Sequence, residues 1–227
     1  MTTPATVVAV DGPSASGKST VSRMLAQRLG FIYVDSGAMY RAITWKALQE
    51  GLDVSDAAQV VALLRRINIQ FEIRHQEARM LIDGVWPGEA IREPRVTEKV
   101  SIVAAIPEVR RLLVAHQRSL TRFGNLVMEG RDIGSVVFPD TPHKFYIDAA
   151  PQERAKRRQK DFEAMRIAAS AEGVARALAE RDKLDSTRAT SPLQVAPGAT
   201  VVDNSVHPPE RTVEIILEHI TRQQRAP

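Results

Sequence analysis

The chain has 227 residues, of which 44% are hydrophobic and 26% charged, and its formal net charge is +4. This length and apolar content predict a folded core rather than a disordered chain, and the absence of cysteine excludes a disulfide scaffold and a cysteine metal site. No apolar run is long enough to span a membrane and no signal peptide is recognisable, so we expect a cytoplasmic protein.

The first predicted strand leads directly into a glycine-rich loop. The apolar run over residues 6–10 is typical of a buried strand, and residues 12–19 read Gly-Pro-Ser-Ala-Ser-Gly-Lys-Ser, matching G-x-x-x-x-G-K-[ST]. An apolar helical face from Val21 to Leu29 follows and ends at Gly30. Strand, loop and helix in this order favour a phosphate-binding loop over a simple Gly/Ser turn.

This loop predicts the contacts of a bound nucleoside triphosphate. Its free backbone N–H groups would cradle phosphate oxygens, Lys18 would reach the terminal phosphates, and the Ser19 hydroxyl would face Mg²⁺. The positive end of the following helix favours the same anion. The predicted ATP contacts in the loop are Gly12, Pro13, Ser14, Ala15, Ser16, Gly17, Lys18, Ser19 and Thr20.

Further apolar runs alternate with helical segments along the chain, which predicts an α/β fold with a parallel sheet. Residues 68–90 instead show period-two alternation and turn signals, which predict a small antiparallel insert. Pro94 and Pro107 each open a predicted helix. The five predicted core strands are Val7–Val10, Phe31–Val34, Leu126–Met128, Lys144–Ile147 and Thr200–Val202.

Charged and polar residues follow two of these strands, where the functional residues of a parallel sheet gather. Ser36 and Arg41 could bind a second phosphate, or Ser36 could cap a helix while Arg41 is solvated. Glu129 ends another strand, as a Mg²⁺-binding acid does in such folds. Arg131 and Asp132 lie just beyond it and suggest a site more than a surface ion pair.

Arginine supplies most of the positive charge, with 24 residues against 7 lysines. Its planar guanidinium suits phosphate, although a genome-wide codon bias would give the same excess. Arg154, Arg157 and Arg158 follow Pro151, and residues 181, 185 and 188 share one helical face, which is either solvated or part of a mobile lid. Acidic residues are interleaved and aromatic residues make up only 5%, so we expect no nucleic-acid partner.

Four motifs resemble those of bacterial cytidylate kinases in order and spacing, and the resemblance covers essentially the whole chain. They are Asp11-Gly-Pro-Ser-Ala-Ser-Gly-Lys, Asp35-Ser-Gly-Ala-Met-Tyr-Arg, Glu129-Gly-Arg-Asp-Ile-Gly-Ser-Val-Val-Phe-Pro-Asp and Glu180-Arg-Asp-Lys-Leu-Asp-Ser-Thr-Arg. The resemblance implies a P-loop nucleoside monophosphate kinase fold: a five-stranded parallel sheet flanked by helices, with a small antiparallel insert and a short LID. Its parts would be a CORE over about 1–62, 108–150 and 198–227, an NMP-binding insert over about 63–107 and a LID over about 151–197.

The resemblance also implies transfer of a phosphoryl group from ATP to CMP or dCMP, with Mg²⁺, and a role for each matching residue. Ser36, Arg41 and Arg131 would hold the acceptor phosphate; Ser101, Arg110 and Asp132 would read cytosine; Arg181 and Asp185 would contact the pentose; Arg188 would lie near the phosphates. Lys18, Arg131 and Arg188 would be the catalytic residues, Arg157 would contact ATP, and Ser19 and Glu129 would hold Mg²⁺.

The chain departs from the resembled pattern at one position, because many members carry Gly and Thr after the loop lysine where this chain has Ser19 and Thr20. Which of the two hydroxyls faces Mg²⁺ stays open. The alternatives are another small-molecule kinase, acting on UMP or shikimate, and a non-kinase ATPase; a GTPase would need an [NT]-K-x-D motif, which the sequence lacks. The absence of a helical seam makes a monomer the expectation.

Overall fold

The computed structural model describes residues 4–164, 167 and 169–225. Its centre is one seven-stranded sheet in the order β3-β4-β2-β5-β1-β6-β7. The strands are β1 (Val7–Asp11), β2 (Ile32–Asp35), β3 (Ile69–Arg74), β4 (Glu77–Ile82), β5 (Leu126–Gly130), β6 (His143–Asp148) and β7 (Thr200–Asp203).

The five predicted core strands are confirmed as β1, β2, β5, β6 and β7, and all pair in parallel. The strand count differs from the predicted five because the β3–β4 hairpin joins the same sheet. The Tyr33 N–H donates to the carbonyl of Gln76 at 2.8 Å, which places β4 parallel to β2, while β3 runs antiparallel to β4. The antiparallel pairing predicted for this segment is therefore correct, but the hairpin extends the sheet edge.

Helices cover both faces of the sheet. The predicted prolines open α4 and α5, where a missing N–H costs no hydrogen bond, and Gly30 closes α1 in the left-handed conformation. The helices are α1 (Lys18–Leu29), α2 (Ser36–Gln49), α3 (Ala57–Leu64), α4 (Pro94–Ala105), α5 (Pro107–Ser119), α6 (Pro151–Ala164), α7 (Ala171–Thr187) and α8 (Pro209–Arg225). In the part of the chain described here, none of them is both long and apolar enough for a membrane span.

Apolar side chains from both layers bury the sheet. On one face α1 and α8 pack against β1, β5 and β6, with Leu25, Phe145 and Ile216 at most 1% exposed. On the other face α2, α4 and α5 enclose a second core that reaches the hairpin through Met80. Each such side chain contributes roughly 1.5–3 kcal/mol on burial, so the sheet is a rigid platform for the loops at its edge.

The strand register brings the functional loops together. Asp11 of β1 lies opposite Gly130 of β5, and Asp35 of β2 lies opposite Glu129. The carboxyl ends of these three neighbouring strands therefore meet at one edge of the sheet, where binding sites of open α/β sheets occur.

Candidate active site

The glycine-rich loop leaves β1 through a backbone that only glycine tolerates. Gly12 has φ 154°, and a Cβ placed there would lie 2.1 Å from the carbonyl oxygen of Ile147. Gly17 is left-handed at φ 89° and is the N-cap residue of α1, directly before Lys18. The helix N-terminus thus faces the space that the loop encloses, as the sequence predicts.

Lys18 lies inside this loop and donates to the carbonyl of Pro13 at 2.9 Å. Burial, followed by the positive charge of Arg131, lowers its pKa to about 7. An ammonium in this position gains most from an anion that would neutralise the surrounding positive charge.

Glu129 ends β5 as a buried carboxylate beside the loop. The Ser19 hydroxyl donates to its Oε2 at 2.9 Å, and the Tyr33 hydroxyl donates to Oε1. Burial and the neighbouring Asp35 raise the pKa of Glu129. Of the two hydroxyls, that of Ser19 is therefore the one that contacts the strand-end acid.

These oxygens suit a hard cation. Among the described residues there is no cluster of three His, Cys, Asp or Glu side chains that would complete a metal site by itself. Mg²⁺ is commonly bound by one or two protein oxygens together with substrate phosphates and water, and Ser19 with Glu129 fits that pattern.

A cavity of about 380 Å³ lies over the loop and contains Lys18, Glu129, Arg41, Arg131 and Arg181 among its lining residues. A second cavity, of about 60 Å³, adjoins it, and Arg131 and Arg181 line both. Every residue predicted to bind the acceptor nucleotide lines the smaller cavity except Arg41. These residues are Ser36, Ser101, Arg110, Arg131, Asp132, Arg181, Asp185 and Arg188.

Buried ion pairs hold the smaller cavity together. Arg110 pairs with Asp132, while Arg131 Nε donates to Asp185 Oδ2 at 2.9 Å. Arg188 lies 3.8 Å from Asp185 and 4.0 Å from Asp132, so the charges alternate around the cavity. Arg131 and Asp132 are thus each paired across the site with another residue, unlike the surface ion pair considered as the alternative.

The pKa values follow this arrangement. Burial lowers the pKa of Arg131, but the carboxylates of Asp185, Asp182 and Glu129 together raise it by more, so the net shift is upward. Burial raises the pKa of Asp185, but Arg131, Arg181 and Arg188 together shift it below its ordinary value. Both side chains are therefore held in their charged forms.

Two arginines that face the larger cavity form no ion pair with a carboxylate among the described residues. Burial and the nearby Arg181 lower the pKa of Arg41 to about 9, and burial and Arg131 lower the pKa of Arg181 to about 10. Arg41 is anchored by a 2.8 Å bond to the Thr97 hydroxyl. Like charges held this close favour binding of a multiply charged anion between them.

The start of α2 excludes one of the two roles considered for Ser36, the capping of that helix. The carboxylate of Asp35 caps the helix by accepting from the Ala38 N–H at 2.9 Å, so capping by Ser36 is wrong. The Ser36 hydroxyl instead donates to the Glu129 carbonyl at 2.6 Å and joins the two strand ends.

The arginines of α6 contact the glycine-rich loop through its backbone. Arg157 donates to the carbonyl of Ser16 at 2.8 Å, and Arg154 donates to that of Ser14 at 3.2 Å. Arg154 also pairs with Asp182, whose other oxygen accepts from the Ser14 N–H at 3.4 Å. Side chains of α6 and α7 thus contact the backbone of the glycine-rich loop directly.

Sequence reasoning missed several residues of this site, including Tyr33, Thr97, Asp182 and Asn204. Asn204 follows β7, so the rule that functional residues gather after strand ends would have found it. Asp182 belongs to the motif around Arg181 that the sequence singled out. No local signal distinguishes Tyr33 or Thr97 from ordinary packed residues.

Comparisons with known proteins agree with this geometry. The family model described as cytidylate kinase matches residues 8–222. A cytidylate kinase from Caldanaerobacter subterraneus subsp. tengcongensis is 42% identical over 218 residues, or 96% of each chain, and one from Geobacillus kaustophilus is 40% identical over 216 residues, or 95% of this chain and 96% of its own. The structure of an uncharacterized protein from Eubacterium ventriosum, 8% identical, aligns at a TM-score of 0.52 over 96% of this chain and 98% of its own, which shows a shared fold alone.

Proposed function

This chain belongs to the cytidylate kinase family, and we propose that it transfers the γ-phosphoryl group of ATP to CMP or dCMP, giving ADP and CDP or dCDP. The observation that carries the proposal is that two adjoining cavities share Arg131 and Arg181. One holds the glycine-rich loop with Lys18, and the other holds the buried Asp132. Two nucleotides bound in them would meet at the shared arginines.

The donor half is the glycine-rich loop. The backbone N–H groups that Gly12–Thr20 offers (Pro13 has none) and the Lys18 ammonium would hold the phosphates of ATP, and Arg157 supports the loop from α6. Ser19 and Glu129 would hold Mg²⁺, which when bound supplies positive charge against the phosphate oxygens. The Ser19 hydroxyl lies 2.9 Å from Glu129 Oε2, which supports this assignment.

The acceptor half is the smaller cavity with Arg41 at its border. Ser36, Arg41 and Arg131 would hold the phosphate of CMP. Arg181 and Asp185 would contact the pentose.

The base end of that cavity would be read by Ser101, Arg110 and Asp132. A carboxylate only accepts hydrogen bonds, so Asp132 suits the amino group of cytosine and opposes the carbonyl that uracil presents there. The proposed preference for cytosine therefore depends on Asp132 being able to accept hydrogen bonds but not to donate them.

Phosphoryl transfer to CMP requires positioning of the two substrates and positive charge rather than a strong base. The acceptor phosphate is already an anion near pH 7, so no proton needs to be removed for attack. Lys18 lines the larger cavity, Arg188 the smaller and Arg131 both, so these three residues would stabilise the charge that develops as the γ-phosphoryl group passes in line from donor to acceptor.

Water must be kept from this transfer, since it would otherwise hydrolyse ATP. We assign the core of the fold to about 1–62, 108–150 and 198–227, the acceptor-binding part to about 63–107 and the lid to about 151–197. Contacts of Arg154 and Asp182 with Ser14 support closure of the lid on the loop. We also propose a cytoplasmic monomer without a nucleic-acid or membrane partner, since its substrates are small intracellular nucleotides.

The test is ADP release measured side by side with CMP, dCMP, UMP, AMP, shikimate and no acceptor, at saturating ATP and Mg²⁺. We expect rapid release with CMP and dCMP and a rate near background with the others. Faster release with UMP or shikimate would identify a different small-molecule kinase, and an equal rate without acceptor would identify an ATPase.

A further inference from the structure

Asn204 lies directly after β7 and is only 2% exposed. Its side-chain Nδ2 donates to the carbonyl of Ser16 at 2.8 Å, and its Oδ1 accepts from the Thr212 hydroxyl at 2.7 Å. Its backbone N–H donates to the carbonyl of Asp148 at 2.8 Å. A carbonyl only accepts, so the bond to Ser16 fixes which end of the amide faces the glycine-rich loop.

Arg157 completes this arrangement from α6. Its guanidinium donates to the Ser16 carbonyl at 2.8 Å and also to the backbone carbonyl of Asn204. One loop carbonyl therefore accepts two hydrogen bonds, one from the loop after β7 and one from α6. Ser16 itself is fully buried, so its bond to Asn204 is shielded from water, while its bond to the half-buried Arg157 is shielded only in part.

Holding this carbonyl fixes the direction of the next N–H group. In a trans peptide the C=O and N–H of one unit point in opposite directions, and the described part of the chain has only trans peptides. With the Ser16 carbonyl turned towards Asn204, the Gly17 N–H must point to the other side, towards the space that the loop encloses.

The packing at Gly17 leaves little freedom for that peptide to turn. A Cβ at Gly17 would lie 2.4 Å from Asn204 Nδ2 and 3.2 Å from the Arg157 guanidinium. The amide thus lies directly against the glycine that begins α1. Rotation of the Ser16–Gly17 peptide would break the hydrogen bonds from Asn204 and Arg157 at once.

We propose that Asn204 is a positioning residue for phosphate binding: it holds the Ser16–Gly17 peptide so that the Gly17 N–H faces the nucleotide phosphates. Thr212 supports Asn204 in this role, because its hydroxyl donates to Oδ1 of the same side-chain amide. The inference rests on the proposed function only in taking a nucleoside polyphosphate as the ligand of the loop.

The test compares Asn204→Ala, Asn204→Asp and Thr212→Val with the wild type. Asn204→Asp keeps the size of the side chain but sets a carboxylate oxygen against the Ser16 carbonyl. The matched control is Ser205→Ala on the same loop, because the Ser205 hydroxyl bonds to Asp203 and accepts from the Ala150 N–H. The measurements are the Kd of ADP by calorimetry, the KM values for ATP and CMP, and the melting temperature.

We expect both Asn204 variants to raise the Kd of ADP and the KM for ATP by roughly tenfold, the range expected for one lost buried hydrogen bond. Thr212→Val should shift both in the same direction by less, and Ser205→Ala should leave both within about twofold. The KM for CMP should stay near its wild-type value in every variant.

A purely structural role gives a different pattern. It predicts a lower melting temperature with unchanged ADP affinity in the folded protein, or equal increases in both KM values, and either result would overturn the proposal. Thr212→Val carries the same test if the Asn204 variants do not fold. ADP binding needs no acceptor, so the result is independent of whether CMP is the substrate.

Discussion

Arg110 and Asp132 form an ion pair from which water is almost completely excluded, with side chains 2% and 5% exposed. Arg110 also donates to the carbonyl of Ala104 at 3.2 Å, and its guanidinium lies 5.2 Å from the centre of the Tyr40 ring. A buried pair of this kind is costly to break because the remaining charge has no partner. It therefore holds an acceptor-only carboxylate at one end of the smaller cavity.

Replacing this carboxylate by an amide should weaken base selection. We expect Asp132→Asn to lower kcat/KM for CMP at least about tenfold more than for UMP, since an amide can donate to the uracil carbonyl and no longer opposes it. Steady-state kinetics with both acceptors measure the ratio. Asp140→Asn, at an exposed carboxylate, is the control, and an equal loss with both acceptors would contradict the assigned role.

Removing the carboxylate altogether should also destabilise the fold. Asp132→Ala leaves Arg110 charged and buried, so we expect the free energy of unfolding in urea to fall by about 3–5 kcal/mol. Glu218→Ala breaks two exposed ion pairs, with Arg222 at 3.6 Å and with Arg211 at 3.5 Å, and should cost far less because exposed pairs contribute little. A comparable loss in the two variants would show that the buried Arg110–Asp132 pair contributes no more to the free energy of unfolding than an exposed pair.

Lys18 should matter for transfer and not for acceptor binding. Lys18→Met removes the positive charge next to the transferred group, so kcat should fall by at least about 10²–10³, while CMP binding by calorimetry stays measurable. The exposed Lys99 on α4 provides the control variant Lys99→Met. Turnover near the wild-type rate in Lys18→Met would refute the assignment of the glycine-rich loop.

Local signals account for what the sequence predicts well. The five parallel strands, the proline starts of α4 and α5 and the left-handed end of α1 at Gly30 each depend on neighbouring residues. The attachment of the hairpin to β2 does not, because the pairing of Tyr33 with Glu77 joins segments whose own patterns are complete without it. Whether a hairpin pairs with the edge of a sheet depends on contacts between segments that are distant in the sequence.

The residues of the site could likewise be predicted from local motifs, but their pairing could not. The motifs predict which residues gather at the strand ends, but spacing does not say which arginine meets which carboxylate. Arg131 pairs with Asp185, which lies 54 residues away, and Asn204 reaches Ser16 across 188 residues. Such partners depend on the assembled sheet and on the packing of α6 and α7 against the loop, which short stretches of sequence do not determine.

Tyr33 should tune the metal dependence of the reaction. Its hydroxyl donates to Glu129, so Tyr33→Phe frees one oxygen of the proposed Mg²⁺ ligand and loosens its orientation. We expect the Mg²⁺ concentration for half-maximal velocity to rise several-fold while kcat at saturating Mg²⁺ changes less than about twofold. Tyr146→Phe on β6 is the matched control, and an unchanged Mg²⁺ dependence would count against the role.

Asp11 links the donor loop to the turn that carries Asp132, and it should make stability depend on pH. Its carboxylate accepts the N–H groups of Ile133 and Gly134, both at 2.8 Å, at the first turn after Asp132. Burial raises its pKa from 3.8 to about 7, although these two bonds oppose the shift. Between these two values the folded protein holds more protons than the unfolded chain, so the stability due to Asp11 falls as pH rises.

Asp11→Asn removes this titration while keeping the shape of the side chain. The free energy of unfolding of the wild type minus that of the variant should therefore be largest near pH 4, decrease up to about pH 7, and then level off, because Asp11 is by then ionised in both states. Urea unfolding of both proteins from about pH 4 to pH 8.5 measures this difference. The same subtraction with the exposed Asp140→Asn should lack that decline. A wild-type advantage that grows with pH would mean that the two backbone N–H bonds outweigh burial, and that Asp11 is ionised throughout.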